Sequence, residues 1–258
     1  MKKTTVSLLL CLFAAPLAMA DLTVLYKGAT PSLGVDVYSS DGHKGTVVAG
    51  QYRIEVGGAT GDIIGAPGVI DAFCIDIDDW APTSTARSYT LTTLDGAPDY
   101  TSGPMGSKRA GYLATLLNRY WDVGDWVSAE SRTFSSVTYS QSKVAAAVQV
   151  AVWEIVDEFN TNKFGCEPDA DIKPGDWNVT TGIFKIVGNT DVGKIANEML
   201  STVVGFGPSS LGNYAAVSNH ATDSYYQDYV VRVPVPAAAL LGMLGLSVAG
   251  LRLRKRLA

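Results

Sequence analysis

Residues 145–156 read AAAVQVAVWEIV, an almost unbroken apolar run with one uncharged amide, Gln149, near its middle. An amide buried without hydrogen-bond partners costs roughly 1–3 kcal/mol. Gln149 therefore either meets partners on a neighbouring element or is used chemically. The other chemically distinctive residues are cysteines. Cys11 lies in the apolar N-terminal stretch and would leave with it, so two remain, Cys74 in AFCIDIDDW and Cys166 in KFGCEPDAD. In an oxidising compartment their default state is a Cys74–Cys166 disulfide, which would stabilise the chain by about 4 kcal/mol on the loop-entropy model. Cys74 sits in a strand-like run and Cys166 in a polar loop flanked by Gly165 and Pro168, so matching geometry is not guaranteed.

Other constellations are weaker. Asp76 and Asp78 follow Cys74, and strand alternation would place both on one face, either as solvated carboxylates at a strand end or as Ca²⁺ ligands. Solvation is the expected reading. Glu167, Asp169, Asp171 and Asp176 form an oxygen-rich loop without the Gly-turned spacing of a calcium loop, so no metal is assigned. His43 and His220 lie in turn-like polar contexts and read as surface imidazoles. No nucleophile elbow, dinucleotide-binding glycine motif, P-loop or zinc-protease motif is present, so neither an enzyme nor a cofactor is expected.

The elements that would hold these residues begin as strands. LTVLYKG, GVDVYSS, GTVVAGQYRIEVGG, GVIDAFCIDI and RSYTLTTL are short runs rich in β-branched and aromatic residues, separated by Gly, Asp, Pro and Ser. KRAGYLATLLNRYW then has apolar residues at helical spacing. SKVAAAVQVAVWEIVDEF gives a second helix, apolar nearly all round and so expected to be buried. WNVTTGIFKIV reads as a strand, DVGKIANEMLSTVV as a helix starting near Asp191, and DSYYQDYVVRV as a last strand. Strands return after the helices. The expected class is α+β: a β-rich sandwich or barrel-like domain with an inserted helical layer.

Two short blocks carry a resemblance. Phe73-Cys74-Ile75-Asp76, followed downstream by Val148-Gln149-Val150-Ala151-Val152-Trp153-Glu154, resembles the bacterial thioester domains of surface adhesins, over about residues 34–205. The resemblance implies an internal thioester between the Cys74 sulfur and the Gln149 side-chain carbonyl, formed with loss of ammonia. The chemistry is coherent. A thiolate is the nucleophile, a glutamine amide is an acyl donor that buries no charge, and a strand–helix contact makes their reaction intramolecular. A stored thioester needs cover from water, which Phe73 and Trp153 would supply. An amine attacking it would form an amide to Gln149 and free Cys74.

The two ends bear on where this happens. Residues 1–20 combine Lys2 and Lys3, an apolar stretch from Val6 to Leu17 and an Ala18-Met19-Ala20 close, as in a secretory signal peptide cleaved after Ala20. Residues 235–251 carry no charge and as a helix would span about 25 Å, a short membrane segment. Arg252, Arg254, Lys255 and Arg256 follow, and place the tail on the cytoplasmic side and the body outside that membrane. Val233-Pro234-Val235-Pro236-Ala237, the apolar helix and the basic tail together resemble the VPLPA variant of the PEP-CTERM sorting signals. That resemblance implies processing by an exosortase-type membrane transpeptidase, and divides the chain into residues 1–20, 21–232 and 233–258.

The body is acidic: residues 21–251 hold 14 basic and 25 acidic side chains, a formal net charge of −11. Nucleic acid and anionic lipid are disfavoured as partners. Two functions are expected of such a chain. One is an exported cell-surface or matrix protein that attaches covalently to an amine-bearing target through Cys74 and Gln149. The other is a passive structural component of the envelope or biofilm matrix, with a Cys74–Cys166 disulfide and no reactive bond.

Overall fold

A computed structural model of the chain describes residues 21–39, 42–58, 68–98, 104–122, 131–157, 175, 177–219 and 226–233. The leader (residues 1–20), the tail from Pro234 onward, Cys166, the acidic loop with Glu167, Asp169, Asp171 and Asp176, and His220 all lie outside these residues. Among the described residues no helix is long and apolar enough to cross a membrane.

In chain order the elements are β1 (Asp21–Ser39), β2 (Gly42–Gly57), β3 (Gly68–Cys74), β4 (Arg87–Thr92), α1 (Gly106–Leu117), β5 (Ser131–Phe134), β6 (Val137–Ser140), α2 (Gln141–Asp157), β7 (Lys185–Val187), α3 (Thr190–Phe206), β8 (Tyr214–Ser218) and β9 (Tyr229–Arg232). The fold is mixed helix and sheet, and strand-rich. Its main sheet is antiparallel with the order β2-β3-β9-β8-β4-β1-β7, and β1 also pairs with β2. That extra pairing joins the two sides, so six strands close into a ring with β7 continuing along the far half of β1. Closure leaves few unpaired edges, which is the stable solution for so many short antiparallel strands.

The first two expected strands are one. β1 runs through both, with register shifts between Tyr26 and Gly28 and between Ala29 and Ser32. Pro31 has no backbone N–H to give to a ladder, so the strand can pass this point only by bulging. The bulge brings β1 so close to β2 that a Cβ on Gly50 would lie 2.3 Å from the Pro31 carbonyl oxygen; only glycine fits there.

The helical layer is built around α2. Ala145, Ala146, Ala147 and Ala151 favour helix and keep the cylinder thin, and every residue from Val144 to Asp157 is buried. α2 packs against β1 and β2 on one side and α1 and α3 on the other. A Lys143–Asp191 ion pair of 2.6 Å links its first turn to that of α3. The β5–β6 hairpin and β8 had no strand signal strong enough to be expected. Of the strand expected over residues 177–187, only Lys185–Val187 pairs. The segment before it turns back instead, with the Asn178 side chain accepting from the backbone N–H of Thr180.

Candidate functional site

Cys74 is the last residue of β3. Its strand neighbour on one side is β9, with Cys74 opposite Tyr229. On the other side the β2–β3 pairing stops at Tyr52 opposite Ala72, two residues short of the cysteine. The Gln149 side chain completes what β2 leaves open. The Cys74 backbone N–H donates to Gln149 Oε1 at 3.0 Å, and Gln149 Nε2 donates to the Cys74 carbonyl at 2.7 Å. One donor and one acceptor on the strand fix which end of the amide is oxygen and which is nitrogen. Both residues are fully buried. The sequence therefore brings the two expected partners together from elements 75 positions apart, and the amide meets the hydrogen-bonding partners that its burial requires.

The sulfur is held just as closely. After Cys74 the chain bends sharply: the thiol donates to the Asp76 carbonyl at 2.9 Å and accepts from the Asp76 N–H at 3.4 Å. Among the described residues Cys74 is a free thiol. Burial is the main cause that pushes this thiol well above its ordinary range, and the Asp76 carboxyl adds to it; the hydrogen bonding at the Asp76 backbone opposes both. The Trp153 indole N–H, which makes no hydrogen bond of ordinary geometry among the described residues, lies close enough to favour the anion as well. Trp153 is one helical turn beyond Gln149, 1% exposed, with its ring 6.2 Å from that of Phe184.

Trp153 thus sits beside the thiol. Phe73 does so only from behind: alternation along β3 sends it to the face opposite Cys74, where its ring meets Trp121 edge-on at 5.1 Å. On the cysteine's own face stand tyrosines. Tyr52 and Tyr229 are 5.9 Å apart, and the buried Tyr229 hydroxyl has no hydrogen-bond partner among the described residues. Burial is the main cause that holds both phenols well above the usual range. Glu154, the last residue of the Gln149 block, has a structural task, its Oε1 accepting from the Asn178 backbone N–H at 2.7 Å.

The carboxylates after Cys74 are not solvated. Asp76 is 2% exposed, and the Asp78 side chain is 1% exposed beneath Lys44 Nζ at 2.9 Å and the Ser39 hydroxyl at 2.7 Å. The expectation fails because β3 ends at Cys74; the bend that cradles the sulfur turns Asp76 inward. There burial first, then Asp79 and Asp228, push its carboxyl well above the usual range. Asp228, on the residue before β9, accepts from the Ser218 hydroxyl at 2.6 Å and the Asn219 N–H at 2.7 Å, and no sequence signal pointed to it. Among the described residues no group of His, Cys, Asp and Glu is arranged to hold a metal ion. His43 is half-exposed and paired with Asp36 at 2.7 Å. Val233 closes the described chain, its N–H donating to the Asn213 carbonyl at 2.8 Å.

Chemically, this is a buried thiol and a buried carboxamide held by the same strand residue, with a backbone N–H already directed at the amide oxygen. Comparison with protein-family models, with curated proteins and with solved structures finds no match.

Proposed function

We propose that this chain is an exported surface or matrix protein whose domain captures primary amines through an internal thioester between Cys74 Sγ and Gln149 Cδ. The observation that carries the proposal is the pair of hydrogen bonds between the Gln149 amide and the Cys74 backbone. In the forming step the thiol adds to Cδ, its proton passes to the amide nitrogen, the C–N bond breaks and ammonia leaves. Negative charge develops on Oε1, where the Cys74 N–H already donates; such preorganised donors are among the largest contributors to acyl transfer. The raised thiol makes the anion scarce, and the fixed position of the amide compensates through effective molarity. In the capture step an amine adds to the same carbon, the C–S bond breaks, and the proton returns to Cys74.

The sorting features belong to the same reading. Residues 1–20 direct export, residues 235–251 with Arg252, Arg254, Lys255 and Arg256 hold the precursor in the inner membrane, and an exosortase-type transpeptidase cuts at Val233–Ala237. The product is released or attached at the cell surface or in the extracellular matrix. A second reading is favoured by the completeness of the same two hydrogen bonds: Gln149 is a core amide, Cys74 pairs with Cys166 or stays a thiol, and the protein is a passive envelope or matrix component.

Incubation with a biotinylated alkylamine separates the two. Covalent label mapped to Gln149, absent from Cys74→Ser, supports capture; no label at Gln149 in the protein isolated from its native host contradicts it.

A further inference from the structure

A cleft of about 360 Å³ opens beside the site, between β2 and the bend that follows β3. Trp80 stands at its mouth with 82% of its surface exposed, the most exposed large apolar side chain among the described residues. Its backbone is nonetheless pinned: the Trp80 carbonyl accepts from the Gln227 N–H at 3.2 Å, and Trp80 bridges to Tyr226. Tyr26 and Tyr52 supply further aromatic wall. Together with Tyr26 and Tyr52, the large flat ring on a fixed backbone makes an apolar wall on which a ligand can lie.

The polar lining narrows the ligand class. Lys44 and Asp78, both in the lining, pair at 2.9 Å, and Asp79, the third ionisable side chain of the lining, is hydrogen-bonded to the buried Asp76 carboxyl, so each charge at the cleft already has a partner. Gln227 Oε1 is a buried acceptor with no partner among the described residues, and the exposed Thr46 hydroxyl can both donate and accept. A pyranose ring has an apolar C–H face to lay on an indole and a rim of hydroxyls that donate and accept. A small pocket with aromatic walls and a few placed polar groups suits one or two such rings.

From the exposed Trp80 ring, the neutralised Lys44–Asp78 pair and the unpartnered Gln227 oxygen, we infer that this cleft is a carbohydrate-binding site for a neutral hexopyranose unit of a surface or matrix glycan. Its floor is continuous with the reactive pair, because Tyr52 packs on Tyr229, which lies opposite Cys74. On the thioester reading of Cys74 and Gln149, and resting on it, a neutral unit held here would bring an amine borne elsewhere on the same polymer near the pair.

The test uses the full chain in a sugar-free detergent, with saturation-transfer NMR and calorimetric titration against cellobiose, maltose, lactose and N,N′-diacetylchitobiose, and with n-butylamine in parallel. At least one disaccharide should bind saturably. Trp80→Ala, at an exposed position that leaves the fold intact, should weaken it by about tenfold or more. Cys74→Ser, which cannot form a thioester, should bind as the parent does, so that failure of the cleft and failure of the thioester are read separately. Absence of binding by all four sugars, unchanged affinity in Trp80→Ala, or saturable binding of n-butylamine alone would overturn the inference.

Discussion

Replacing Cys74 by serine leaves the β3 backbone in place and keeps Gln149 as an amide, with the nitrogen that the thioester lacks, yet removes the sulfur. If the thioester exists, the substitution cuts a cross-link between residues 75 positions apart, worth about 4 kcal/mol by loop closure. A serine hydroxyl can still donate to the Asp76 carbonyl, so little else is lost. The regained amide N–H bond to the residue 74 carbonyl offsets about 1–3 kcal/mol of this, so with an m-value of about 2 kcal/mol/M the urea midpoint should fall by about 1 M. Gln149→Ala removes the same cross-link and, where Cys74→Ser has both amide bonds, leaves the buried N–H and C=O of residue 74 without them, at about 1–3 kcal/mol each. It should therefore be the more damaging, by roughly 2–6 kcal/mol, and can exhaust a domain stability of about 5–15 kcal/mol. A cross-link can be lost only once, so the double variant should cost no more than Gln149→Ala alone, a non-additivity equal to the Cys74→Ser cost, about 2 kcal/mol. Urea unfolding followed by tryptophan fluorescence reads all three. A Cys74→Ser cost below about 1 kcal/mol, the size of one ordinary hydrogen bond, with additive behaviour in the double variant would refute the reasoning.

Further expectations follow from the surrounding residues. Asp76 has a raised carboxyl, so the folded state binds its proton more tightly than the unfolded chain; its contribution is complete below the unfolded value of about 4 and is lost as pH rises through the folded one. Asp76→Asn, which keeps the acceptor for the Asp78 N–H, should flatten that slope and hold or raise the urea midpoint at pH 7, whereas a loss above about 2 kcal/mol would show that the site needs the charge. A Gly50→Ala chain must push β1 and β2 apart at Pro31 and should lose about 1–3 kcal/mol in the same assay; an unchanged midpoint would contradict the close approach. Deleting residues 234–258 removes the expected membrane segment and should move the protein to the soluble fraction. Persistence in washed membranes would contradict the topology.

The parts of this molecule that were legible in the sequence were those with local causes. α2 was, because a run of Ala and Val with no charge over three turns has few other uses. β3 and β4 were, through alternation bounded by Gly and Pro. β1 was divided in two because Gly28 and Pro31 are turn residues, and only pairing with β2 on both sides of the bulge turns that break into a continuous strand. β8, YAAVS, has the composition of a helix turn and becomes a strand because β4 and β9 flank it. At the site, Cys74 and Gln149 stood out by residue type, since an amide and a thiol in apolar runs are unusual. Asp228, Tyr229 and Tyr52 did not, because what places them near the sulfur is the ring closure of the sheet, which has no local signature. The burial of Asp76 was missed because carboxylates at a strand end were read as solvated, while the chain after Cys74 bends around the sulfur and stays inside.

The central claim concerns one covalent bond, and intact mass spectrometry of the protein from its native host measures it directly. With the thioester formed, the mature chain should weigh about 17 Da less than its sequence, the ammonia lost from Gln149, and methylamine should restore a thiol at Cys74 while adding itself to Gln149. A deficit of about 2 Da that methylamine leaves unchanged, the signature of a Cys74–Cys166 disulfide, or no deficit at all, would contradict the account.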